Sequence, residues 1–101
     1  MSDKKVVLIT GTSSGFGRVS AETLARKGYT VYASMRNTET RNAEASKALK
    51  ALAEKENLDL HVIDLDVTKD SSVDQAVAKI ISQVGRIDVL VNNAGVGTYG
   101  V

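Results

Sequence analysis

Between a short apolar run, Val6 to Ile9, and a segment of helical spacing lies Thr10-Gly11-Thr12-Ser13-Ser14-Gly15-Phe16-Gly17. Few folds can use a turn of this kind. An unbroken apolar run is expected where both faces of a strand are buried, as in a parallel sheet, and it stops abruptly at Thr10-Gly11. Glycine tolerates positive φ and has no β-carbon to block an approaching group, so Gly11 and Gly15 suit a tight strand-to-helix turn. The first amides of the following helix lack intrahelical partners and carry the positive end of its dipole, so they can hold an anion without lysine or arginine. The turn therefore reads as a diphosphate cradle, with Ser13 and Ser14 as further hydroxyl donors, while Gly17 serves packing. The spacing is G-x-x-x-G-x-G and no G-x-x-x-x-G-K is present, which argues against a P-loop triphosphatase.

The rest of the chain repeats the alternation of strand and helix. Phe16, Val19, Ser20, Thr23, Leu24 and Lys27 fall at helical spacing, and Gly28 supplies a left-handed stop. Thr30 to Met35 predicts a second strand, and Ala45, Ala48, Leu49, Leu52 and Ala53 form the apolar stripe of a second helix. Leu58 to Leu65 predicts a third strand. Ser71 and Asp74 have capping-box spacing ahead of Val73, Ala76, Val77, Ile80, Ile81 and Val84, a third helix that Gly85 ends. Ile87 to Val91 predicts the fourth strand, closing on Asn92-Asn93-Ala94-Gly95. Right-handed crossovers make this a Rossmann-type α/β doubly wound parallel sheet in partial form, with four strands in order 3-2-1-4 and three helices. Helices one and two share one face and helix three takes the other. Connections leaving strands one and four then diverge, opening a crevice at their carboxyl ends.

Composition narrows the partners. The chain has 101 residues, enough for a single domain over 1–101, with 13 basic and 12 acidic side chains. A net charge of +1 offers no basic field for nucleic acid or an anionic membrane. With no cysteine there is no disulfide framework, thiolate metal site or cysteine nucleophile, and the amino-terminal apolar run is too short for a signal core or membrane span. A cytoplasmic protein is expected.

Thr10-Gly11-x-x-x-Gly15-x-Gly17, Asp66-Val67-Thr68 and Asn92-Asn93-Ala94-Gly95, in that order, resemble the classical short-chain dehydrogenase/reductase family. The resemblance covers essentially the whole chain but corresponds only to the amino-terminal part of such an enzyme. It implies that Gly11, Ser13, Ser14, Gly15, Phe16 and Gly17 form the cofactor turn. It also implies that Asp66 accepts from the adenine amino group, that the Val67 backbone lies beside the adenine, and that Asn93, Ala94 and Gly95 steady the sheet and line the crevice.

A dinucleotide site must also deal with the adenosine 2′ position about twenty residues beyond the glycine turn: an acid accepts from a free hydroxyl, whereas an arginine pairs with a phosphate. Strand two ends in Ala33-Ser34-Met35-Arg36-Asn37, with no acid at its tip. Arg36 therefore favours NADP(H) over NAD(H), against the alternative of a merely solvated arginine.

No catalytic residue is assigned. The family's proton donor is a tyrosine with a lysine four residues on. Tyr29 is followed at that spacing by Ala33, Tyr32 by Arg36, and Tyr99 is two residues before Val101. His61 lies on the order of 16 Å before the end of its strand, remote from the crevice, and reads as structural. Asp59, Asp64 and Asp66 lack a histidine at ligand spacing, so no metal site is expected.

Strand four, with Val89, Leu90 and Val91, would be an open edge, so the chain is expected to be a truncated domain that self-associates. Two classes of function follow. One is the NADP(H)-binding half of an oxidoreductase that interconverts alcohols and carbonyls, with a small alcohol or carbonyl substrate bound only by a complete protein and this chain inactive alone. The other is a non-catalytic dinucleotide-binding or interaction module.

Overall fold

The structure, a computed structural model, describes residues 4–13 and 15–93. Its elements run β1 (Val6–Ile9), α1 (Gly15–Arg26), β2 (Thr30–Met35), α2 (Ala43–Glu56), β3 (Leu60–Asp64), α3 (Asp70–Val84) and β4 (Val89–Val91). The strands form one parallel sheet in the order β3-β2-β1-β4, as the crossover rule requires. Register pairs Val6 with Thr30, Val7 with Val89 and Val31 with Leu60.

The two central strands, β1 and β2, are buried along their whole length, which is why their sequences are continuous rather than alternating. Successive side chains feed opposite faces. Val7, Ile9, Val31, Ala33 and Met35 meet Ala21 and Ala25 of α1 and Leu49 and Ala53 of α2. Val6, Leu8, Tyr32, Ile63 and Leu65 meet Ala76 and Ile80 of α3. Helices α1 and α2 thus share one face, and α3 covers the other. Ile9, Leu49, Ile80, Val7 and Val31 are among the largest fully buried side chains. Each contributes about 1.5–3 kcal/mol of transfer free energy.

Three local expectations are corrected. The face of α1 that meets the sheet is Gly17, Ala21 and Ala25, whereas Phe16 and Val19 of the anticipated stripe are 83% and 59% exposed. Small residues spaced by four let the helix axis approach the strands closely, and that need outweighs the size of Phe16. The Ser71–Asp74 capping box does not form: α3 begins two residues earlier, at Asp70, with Lys69 rather than Ser71 as its N-cap and no side-chain capping bond. Ser72 is engaged instead, its hydroxyl accepting from the Asp66 amide at 2.9 Å. Strands three and four are also shorter than their apolar runs, because Leu58, Asp59 and Leu65 lie outside β3, and Ile87 and Asp88 precede β4.

The helix stops follow backbone chemistry. Gly28 and Gly85 adopt φ of 100° and 82°, and Asn57 caps α2 in the left-handed region at 55°. Asparagine tolerates this conformation better than most residues with a β-carbon.

Candidate functional site

At the carboxyl end of the sheet, the chain leaving β1 is gripped from both sides. On the β4 side, the Thr10 amide donates to the Val91 carbonyl at 3.0 Å. The Thr10 hydroxyl accepts from the Asn93 amide at 2.8 Å and donates to Asn92 Oδ1 at 3.2 Å. On the β2 side, the Thr12 amide and hydroxyl both donate to the Ser34 carbonyl, at 3.0 and 2.9 Å. The turn thus spans the ends of three adjacent strands. Neither threonine was singled out from sequence as a site residue, although hydroxyls placed alternately on a strand extension are the signal that could have found them.

Gly11 and Gly15 have φ of 69° and 64°, in the region that penalises a β-carbon. Gly17 has a different constraint. A β-carbon there would overlap the Gly11 carbonyl oxygen and come within 2.8 Å of Asn93 Nδ2. Asn93 Nδ2 also donates to the Gly11 carbonyl at 3.4 Å. Gly17 is therefore a packing glycine that lets α1 start directly beneath the turn. By contrast, among the described residues nothing lies within 4 Å of where a β-carbon on Gly15 would stand. Room beside Gly15 at the first turn of α1 fits a group held by the helix's first amides. Ser13 is half-buried and Phe16 exposed at this mouth.

At the same end of the sheet, Arg36 follows β2 and is exposed. Its carbonyl accepts from Asn42 Nδ2 at 2.6 Å, and the Asn37 carbonyl accepts from the Thr40 and Asn42 amides. The connection is tied to β3 as well, where Thr38 donates through its amide and hydroxyl to Asp64 Oδ2 at 3.2 and 3.0 Å. Asp66 follows β3 and accepts on Oδ1 from the Thr68 hydroxyl at 2.6 Å and the Thr68 amide at 3.0 Å. Those bonds, followed by the positive charges of Arg36 and Lys69, hold its carboxyl below the usual carboxylate range. Val67 follows Asp66 and packs against the α3 side of the core. Ser14, Ala94, Gly95 and Tyr99 lie outside the described residues.

His61 and the remaining acids sit elsewhere. His61 is exposed on β3, stacked on Tyr32 with ring centroids 4.9 Å apart and bonded to Asp59 at 2.6 Å. Tyr32 is buried and donates to Gln83 Oε1 at 2.7 Å. Burial, then the Asp59 charge, pushes its phenol above the ordinary value. Among the described residues no three histidine or acidic side chains group as metal ligands, and no helix is long and apolar enough to cross a membrane.

A family model, short chain dehydrogenase, matches residues 5–101. The chain is 40% identical over 97 residues to a 3-ketodihydrosphingosine reductase of Bacteroides thetaiotaomicron, covering 95% of this chain and 30% of that protein. Among solved structures, menthone neomenthol reductase from Mentha piperita superposes with a TM-score of 0.79 at 34% identity, covering 95% of this chain and 33% of that one. The F189W actinorhodin polyketide ketoreductase with NADPH gives 0.80 at 29% identity, over 92% of this chain and 34% of that one. The chain thus spans about a third of the length of the proteins it matches. With its sheet order, glycine turn and strand-four asparagines all in place, it belongs to the short-chain dehydrogenase family of oxidoreductases, whose members bind a nicotinamide dinucleotide.

Proposed function

We propose that this chain is the NADP(H)-binding part of an oxidoreductase that interconverts alcohols and carbonyls by hydride transfer. The observation that carries the reading is the glycine-lined start of α1, with Gly11 and Gly15 at positive φ and room beside Gly15 among the described residues, at the carboxyl end of β1 where β2 and β4 flank it. Gly11, Ser13, Ser14, Gly15 and Phe16 hold the diphosphate, chiefly through main-chain amides, while Gly17 keeps the helix close enough for those amides to converge. Arg36 pairs with the 2′-phosphate. Asp66 accepts from the adenine amino group on an oxygen its Thr68 bonds do not use, Val67 flanks the ring, and Asn93, Ala94 and Gly95 line the floor.

The bound nicotinamide would supply or accept the hydride. The chain's own part is to bind and orient, because none of its tyrosines has a lysine four residues on to lower the phenol pKa. Proton transfer and substrate binding are not assigned to any residue of this chain, which spans about a third of the length of the proteins it matches. The ketoreductase with NADPH, of closely similar fold, supports the cofactor assignment.

Titration of the folded chain with NADPH and NADH tests this. Saturable binding that favours NADPH is expected, and Arg36→Ala should weaken NADPH by on the order of ten- to a hundredfold more than NADH, the worth of a charge-assisted contact. Equal losses would remove the NADP preference, and absence of saturable binding would remove the diphosphate site. Turnover of NADPH with a carbonyl substrate by the chain alone would show that it holds a proton donor.

A further inference from the structure

We infer that Thr12 is a positioning residue that sets the distance between the diphosphate turn and Arg36, and that its hydroxyl thereby contributes to discrimination between NADPH and NADH. The inference rests on the reading of Arg36 as the 2′-phosphate partner. Thr12 and Ser34 are both fully buried, and one acceptor, the Ser34 carbonyl, takes both the Thr12 amide at 3.0 Å and the Thr12 hydroxyl at 2.9 Å. Ser34 stands two residues before Arg36, and the Arg36 carbonyl is itself held by Asn42 Nδ2 at 2.6 Å. An unbroken path of short bonds therefore runs from the glycine turn through Thr12 and the last residues of β2 to the backbone that carries the guanidinium.

The consequence depends on which ends of the site a ligand uses. A dinucleotide with a 2′-phosphate presents two anionic groups at a separation fixed by its adenosine, so it gains fully only when turn and β2 tip are held in matching register. A dinucleotide without that phosphate uses the turn alone at this edge and tolerates a looser tether. The amide bond by itself leaves the turn able to rock about Ser34. The second bond to the same oxygen removes that freedom, and it comes from a side chain, so it can be deleted without orphaning the carbonyl.

The test measures NADPH and NADH dissociation constants for the full chain and for Thr12→Val, Thr12→Ser, Arg36→Ala and the Thr12→Val/Arg36→Ala double variant, with far-ultraviolet circular dichroism to confirm folding. Thr12→Val is expected to weaken NADPH about fivefold more than NADH, the worth of one neutral hydrogen bond. Thr12→Ser, which keeps the hydroxyl, should restore the ratio. In the Arg36→Ala background the same change should shift both cofactors alike, since the phosphate contact that reports the register is gone. If Thr12→Val does not fold, Thr12→Ala removes the hydroxyl without filling the buried space and carries the same expectation. A Thr12 variant that folds and shifts both cofactors equally, or neither, overturns the inference. Equal losses in Arg36→Ala overturn the underlying reading, so the two failures are told apart.

Discussion

Gly17 packs so closely on Gly11 that a β-carbon at Gly17 would stand 2.7 Å from the Gly11 carbonyl carbon, with Asn93 Nδ2 closing the third side. Helix α1 and the turn it follows are therefore one packed unit. Gly17→Ala must push the turn off the helix, at a cost of about 1–3 kcal/mol as overpacking, or about 4–8 °C of Tm for each kcal/mol in a domain of this size. Gly15→Ala meets open space and only the strain of positive φ. Thermal unfolding of the two variants should rank Gly17→Ala as the more damaging, and the reverse order would contradict the packing role.

Thr10 joins β1 to the end of β4 through its hydroxyl. Thr10→Val leaves the Asn93 amide without that acceptor and is expected to cost about 1–3 kcal/mol, with Thr10→Ser recovering most of it. Urea denaturation at constant m-value measures both. A valine variant as stable as the parent would show that the hydroxyl carries no net stability.

Among the described residues α3 is the one helix that covers the second face of the sheet, and Ile80 is its fully buried side chain. Ile80→Ala is expected to destabilise by about 2–5 kcal/mol, since few neighbours can move in to fill the void. A loss under about 1 kcal/mol in chemical denaturation would mean that this face is not held by α3.

Asp59 is partly buried. Burial pushes its carboxyl up, but hydrogen bonds from Thr30 and His61 and the charges of His61 and Lys4 outweigh that and bring it below its ordinary 3.8. A carboxyl lowered in the folded state contributes stability that is complete above its unfolded value and disappears as the pH falls through the folded one. Tm followed from about pH 6 to about pH 3 should therefore drop more steeply for the parent than for Asp59→Asn. Some slope should survive in the variant, because Asp66 and Asp88 are lowered as well. Coincident slopes would show that Asp59 is not coupled to folding.

Along β4, Val89 and Leu90 are 42% and 61% exposed, and among the described residues β4 pairs with β1 on one side only. An edge of this kind recruits other strands. We expect the 101-residue chain to self-associate and Leu90→Lys to shift it toward monomer in sedimentation velocity. A parent chain that stays monomeric at high concentration would refute this.

The order of elements and the parallel sheet were legible in the residues, because a buried parallel strand needs an unbroken apolar run and each crossover has one hand. Val6 to Ile9 and Thr30 to Met35 match their strands to the residue for that reason. The motifs placed the turn for the same reason: glycine at 11 and 15 answers a backbone demand that is local to the chain.

What remained hidden depends on neighbours distant in sequence. Phe16 and Val19 carry the apolar character of α1, yet Gly17, Ala21 and Ala25 face the sheet, since how near two elements can approach depends on both surfaces and not on one helix's hydrophobicity. Ser71 and Asp74 have capping spacing, but Asp66 and Lys69 start the helix sooner and take Ser72 as a partner. Thr10 and Thr12 look alike in the linear chain. Folding sends one to β4 and the other to β2, because their partners, 82 and 22 residues away, come within reach only when the sheet is assembled.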